Sequence, residues 1–218
     1  MSKNNVPLDL LNENRCGVTV RVYKPSTRYF DEFLQLKCAP DLARLKLYPN
    51  GKEVTESFAI YHAIKKAVGH ERFAESITLV DVGCGRQPRN AALFAHRTRW
   101  NCIAVDPLLE ERWCDDDWYE EPHGIDRLVC YKKRVQQYRC QATGPVVVAM
   151  VHAHVDVPTV LRSFEGIEQL LIVSMPCCVP SRMTLAPNAA YYDHGCWSPQ
   201  RHVNIWDLGF GSRVQGRS

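Results

Sequence analysis

The segment Val80-Asp81-Val82-Gly83-Cys84-Gly85 ends an apolar run and opens onto a stretch with helical periodicity. Glycines at a strand end let a ligand approach backbone that a side chain would otherwise cover. Asp106 ends the next apolar run, 25 residues after Asp81. A carboxylate there offers two acceptors to the vicinal hydroxyls of a ribose. The pattern points to a cofactor containing a nucleoside, either a nicotinamide dinucleotide or S-adenosylmethionine (SAM). The plainer alternative is that Gly83 and Gly85 only make a tight turn.

Two details favour SAM. Asp81 lies two residues before the first glycine, where it can receive the methionine amine directly or through water. Pro88 stands where a dinucleotide fingerprint has its third glycine, which is less needed without a pyrophosphate to cradle.

A second constellation is His152-Ala153-His154-Val155-Asp156, followed by Pro176-Cys177-Cys178. Both segments follow apolar runs, and ligands of parallel sheets sit at the carboxyl ends of strands. His152, His154, Asp156, Cys177 and Cys178 are therefore the candidate catalytic residues. Either histidine can serve as a general base or orient a nucleophile. Two His and two Cys are also the right types for zinc. His-x-His and adjacent cysteines on neighbouring strands suit one tetrahedral site poorly, so no metal is expected. A third option is that the cysteines only fill a tight corner.

The Asp81–Gly85 segment resembles motif I of the class I SAM-dependent methyltransferases, and Ala104-Val105-Asp106-Pro107 resembles their motif II. The His segment followed by Pro-Cys-Cys resembles a subgroup carrying an L-H-x-C-G-like segment and then P-C-C or S-C-C. That subgroup includes acceptor-stem tRNA 2′-O-methyltransferases. Here Val151-His152-Ala153-His154 replaces the Leu-His-x-Cys form, and no glycine follows. The resemblance covers roughly residues 77 to 180. It implies that Asp81, Gly83, Cys84 and Gly85 hold the methionine end of SAM, that Asp106 and Pro107 hold the ribose, and that RNA is the substrate. A non-catalytic SAM- or RNA-binding subunit and an NAD-dependent enzyme are the alternatives.

The elements that must position these residues follow from the hydrophobic pattern. Apolar runs at 77–82, 100–106, 127–131, 146–152 and 169–174 read as strands, and helical stretches separate most of them. The expected fold is α/β, a Rossmann-like doubly wound, mainly parallel sheet. Residues 202–206 read as a late strand that can run antiparallel. Residues 1–54 form an N-terminal extension with strand-like stretches at 17–23 and 45–48. Residues 55–208 are the main domain, with Thr55 capping a helix to Val68, and residues 209–218 are a flexible tail.

Ten cysteines are scattered over 218 residues, too sparsely for a small disulfide scaffold, and no C-x-x-C pair occurs. Neither a signal core nor an apolar run long enough to span a membrane is present. The expected setting is cytoplasmic and reducing. The net charge is +3, which permits a polyanionic partner without requiring one. Arg86 and Arg89 flank the glycine loop, and Lys132-Lys133-Arg134 is the densest basic run, so these five are the candidate RNA contacts. The acidic stretch 115–121 reads as a loop.

Overall fold

Among the described residues seven strands form one sheet in the order β3-β2-β1-β4-β5-β7-β6. The computed structural model describes residues 26–114, 124–178 and 185–211. The strand-like stretch at 17–23 and the acidic stretch 115–121 lie outside the described residues. Strands β1 (Thr78–Val82), β2 (Asn101–Val105), β3 (Leu128–Tyr131), β4 (Val146–Val151) and β5 (Leu170–Met175) are parallel. Strand β7 (His202–Leu208) runs antiparallel between β5 and β6 (Ala189–Tyr192).

All residues of β4 and β5 are buried, which explains their unbroken apolar runs: a strand covered on both faces has no solvent side to alternate with. The alternation sorts side chains into two cores. Leu79, Val147, Ala149, Leu171 and Val173 join the core beneath helices α1 (Arg28–Leu34), α2 (Ala39–Arg44), α3 (Gly51–Val68) and α4 (Arg89–Arg97). Val80, Val82, Val148 and Ile172 join the core on the other face with helix α5 (Val157–Leu161). The fold is thus α/β and Rossmann-like.

Four expectations change. Helix α3 begins at Gly51, so a boundary at residue 54 cuts it. Asn50, not Thr55, is its N-cap, with its side chain accepting from the Glu53 amide at 3.1 Å. Asparagine following Pro49 satisfies an orphan N–H at the earlier position. Thr55 instead bonds Lys52 O and the Trp197 amide. Residues 45–48 are a turn and coil, with Leu47 fully buried in the α1–α3 core. Residues 132–139, which read from the sequence as a short basic helix, hold only a short 3-10 turn, Val135–Gln137. Finally, the tail is anchored at its start: Gly209 bridges Leu170, Phe210 is buried, and Arg72 donates to the Phe210 carbonyl.

Among the described residues no helix is long and apolar enough to cross a membrane.

Candidate functional site

The strand order reverses direction between β1 and β4: β2 and β3 continue on one side, β5 on the other. The chain leaves β1 for α4 on one face of the sheet and leaves β4 for α5 on the other, the arrangement at which open α/β sheets form a crevice. A cavity of about 430 Å³ occupies this place, within the range of small-molecule sites. Its floor is Val82, Gly83 and Gly85 after β1, and Val105, Asp106, Pro107 and Leu108 after β2. Arg134, Val135 and Gln136 form one wall, and His152, His154 and Val155 after β4 form the other.

Asp106 ties the floor together. Its Oδ2 accepts from the Gly85 amide at 2.8 Å. Its Oδ1 accepts from the Leu108 amide at 2.6 Å. A carboxylate has about four lone-pair sites, so two bonds leave capacity for a ligand diol. Gly83 and Gly85 both have positive φ, 72° and 74°, but they answer different needs. A Cβ on Gly83 would lie 2.6 Å from Ala153 Cβ, so this glycine lets the β1 and β4 loops meet. A Cβ on Gly85 would meet nothing within 4 Å among the described residues. Its backbone therefore faces open space at the cavity edge.

Two residues expected at the cofactor are not at the cavity surface. Asp81 is fully buried on the α4 side of the sheet, where it accepts from Asn90 Nδ2 at 3.0 Å and the Ala91 amide at 3.3 Å. Strand alternation dictates this: Val80 and Val82 take the opposite face. Asp81 thus anchors the start of α4 and does not meet a ligand amine directly. Cys84 is buried in the same core, and burial drives its thiol pKa far up. Its side chain is packing, and its backbone runs between Gly83 and Gly85 of the cavity lining.

Burial also raises the Asp81 pKa from 3.8 to about 6, against hydrogen bonds from Asn90 and Ala91 that lower it. Between these two values the folded state holds a proton that the unfolded chain has released. Asp81 therefore opposes folding most above pH 6, and this penalty is relieved as pH falls from 6 toward 4. Asp81→Asn keeps an acceptor for one N–H donor and removes the buried charge. We expect it to raise stability at pH 8 by about 1–2 kcal/mol, less than the full shift because the new amide N–H₂ needs an acceptor. Denaturant melts at pH 8 and pH 5 check this. A variant that keeps the wild-type pH dependence would remove Asp81 as its source.

The second constellation assembles at the ends of β4 and β5. The His152 amide donates to Met175 O at 2.8 Å. Cys177 Sγ lies 3.1 Å from His154 Nε2, 3.7 Å from the His152 carbonyl oxygen and 3.8 Å from Cys178 Sγ. Burial and the adjacent Cys178 hold the Cys177 thiol above its usual pKa, so near neutral pH it is a thiol, not a nucleophilic thiolate. Neither cysteine lines the cavity. Asp156 is exposed and serves as N-cap of α5, accepting from the Thr159 amide at 2.8 Å. That bond accounts for its carboxylate without a catalytic task. Among the described residues no group of three His, Cys, Asp or Glu side chains is arranged to hold a metal ion.

Sequence reasoning missed Glu56, on α3. It is 2% exposed, and its Oε1 accepts from His152 Nε2 at 2.7 Å and Lys52 Nζ at 2.8 Å. Burial raises its pKa, but hydrogen bonds from His152 and Lys52 outweigh burial and hold it below the usual range. No local motif signals it, because α3 is joined to β4 only by packing.

The basic residues divide. Arg134 reaches the cavity wall. Arg86 is exposed and 3.5 Å from Glu110. Arg89 is only 21% exposed and paired with Glu53 beneath α3, so it is removed from the expected RNA contacts. Lys132 pairs with Glu111, and Lys133 lies 4.6 Å from the Tyr131 ring centre.

Comparison with protein-family models, with curated proteins and with solved structures finds no match for this chain.

Proposed function

We propose that the protein is a SAM-dependent methyltransferase on a doubly wound sheet, acting on RNA in the cytoplasm. The observation that carries this reading is the cavity at the β1/β4 switch point, with Asp106 locked by amides from both floor loops. A nucleoside fits the residues present: a carboxylate for the ribose hydroxyls, open backbone at Gly85, and apolar surface from Val105, Leu108 and Val135 for a base. Leu108 lines the cavity and is 67% exposed, which leaves its side chain accessible to a base.

When bound, SAM supplies a methyl group activated by its positively charged sulfur. The chain's own residues do the rest. Asp106 orients the nucleoside, the open backbone at Gly85 lets it come close, and His152 borders the reactive edge at the β4 end. Methyl transfer depends mainly on alignment, which rigid strand ends supply. Arg134 on the cavity wall and exposed Arg86 support a phosphate-bearing substrate.

Calorimetry with SAM, S-adenosylhomocysteine and NAD tests the cofactor, and tritiated methyl transfer to total RNA, protein and small-molecule pools tests the reaction. SAM binding in the micromolar range and label in RNA are expected. NAD binding without SAM binding would replace this reading with that of an NAD-dependent enzyme. SAM binding without transfer to any pool would make the protein a non-catalytic subunit.

A further inference from the structure

His152 carries two features that packing alone does not account for. It is a non-glycine residue with φ 55°, a left-handed conformation that persists only where surroundings impose it. Its Nδ1 is buried and has no hydrogen-bond partner among the described residues, although buried acceptors are normally satisfied. Both features fall on a cavity-lining residue at the carboxyl end of β4.

The other ring nitrogen is fully accounted for. Glu56 Oε1 lies 2.7 Å from Nε2 and is itself held by Lys52 at 2.8 Å. The Ser198 side chain also favours the ionised form of this carboxylate. An ionised carboxylate accepts and cannot donate, so Nε2 bears the proton that it gives to Glu56. In the neutral ring, Nδ1 then has the free lone pair.

Helix α3 packs against β4 and β5 and so brings Glu56 from 96 residues away. The partner of Glu56 is thus set by the fold, and its orientation by Lys52 one helical turn earlier.

We propose that Glu56 is a positioning residue. It holds the His152 ring in the Nε2–H form, so that Nδ1 is reserved as acceptor for an O–H or N–H group of the substrate. A group donating to Nδ1 can pass its proton there, the bond pair remaining on the donor atom. The resulting imidazolium charge then faces the Glu56 carboxylate. A carboxylate that fixes a histidine tautomer and steadies its charged form is a recurring catalytic arrangement. This inference rests on the methyltransferase reading for its chemistry but not for its geometry.

The test uses Glu56→Met, which keeps side-chain length and removes the acceptor, and Glu56→Gln, which keeps an acceptor oxygen and removes the charge. Ring ¹⁵N spectra of the ligand-free protein above pH 8 should show His152 with Nε2 protonated and Nδ1 bare in wild type and in Glu56→Gln. Glu56→Met should show a mixture of tautomers. Should Glu56→Met fail to fold, the wild-type and Glu56→Gln spectra still decide the tautomer. A wild-type ring protonated at Nδ1 would overturn the proposal, whatever the protein catalyses.

In methyl transfer, Glu56→Met should lose about 100-fold in kcat with SAM affinity within about twofold of wild type, and Glu56→Gln should recover part of the loss. Equal turnover in all three proteins would overturn the positioning role. Wild-type protein that transfers no methyl group sinks the methyltransferase reading alone, and the spectra then decide the Glu56 assignment.

Discussion

Asp106→Ala should weaken binding of S-adenosylhomocysteine by about 100-fold or more. Hydrogen bonds to a charged group contribute roughly 1.5–3 kcal/mol each, and a ribose diol can make two with one carboxylate. The alanine also frees the Gly85 and Leu108 amides, which Asp106 holds at 2.8 and 2.6 Å, so both floor loops lose their common anchor. The two contributions separate with a ligand pair. Wild type should prefer adenosine over 2′-deoxyadenosine by roughly tenfold, and Asp106→Ala should bind both alike, as a coupling between the two deletions requires. Asp106→Asn should fall between, since an amide can keep one of the two loop bonds. Calorimetry that finds undiminished affinity in Asp106→Ala, or no preference for the 2′-hydroxyl in wild type, would remove Asp106 from the ribose site.

Gly83→Ala should cost about 2–4 kcal/mol of stability. Two effects add: a side chain at φ 72°, and a Cβ 2.6 Å from Ala153 Cβ and 3.0 Å from its Cα. Backbone cannot yield as a flexible side chain tip can, so the β1 and β4 loops must separate. The cavity lies between them, and ligand binding should fall with stability. Gly85→Ala is the internal comparison. It has the same sign of φ but no atom near the added Cβ, so it should cost only about 1 kcal/mol. Its effect should appear mainly in ligand affinity, because the methyl group occupies open space by the cavity. Denaturant midpoints and calorimetry on the two variants read this contrast. Equal loss of stability in both would mean that the Gly83–Ala153 approach is not the constraint.

The strands were legible because their physical cause is local. An unbroken apolar run such as Val146–Val151 is what a strand covered on both faces requires, and an acid or glycine ends the run where it leaves the core. The adjacency of β1, β4 and β5 accords with the topology rule for such α/β alternation, while the reversal of β7 and the meeting of His154 with Cys177 belong to the assembled sheet. Strand β6 was not legible: Ala189–Tyr192 is half-buried and too short for its alternation to stand out. The α3 start lies five residues before the one a Thr55 cap implies, because Thr55 and Asn50 are both able caps and only packing selects between them.

Individual side-chain roles divided along the same line. Residue types and spacing alone pointed to a strand–glycine–helix turn, to Asp106 at the next strand end, and to histidines and cysteines at the ends of two later strands. Those are relations along a chain, with periods set by backbone geometry. The direction in which each side chain faces came from the assembled sheet. Strand alternation turned Asp81 inward to α4, helix capping occupied Asp156, and α3 carried Glu56 to His152 and its neighbour Glu53 to Arg89. Contacts of this kind depend on which helix lies over which strand, and that is decided by burial of apolar faces summed over the whole core, which no short stretch of residues contains.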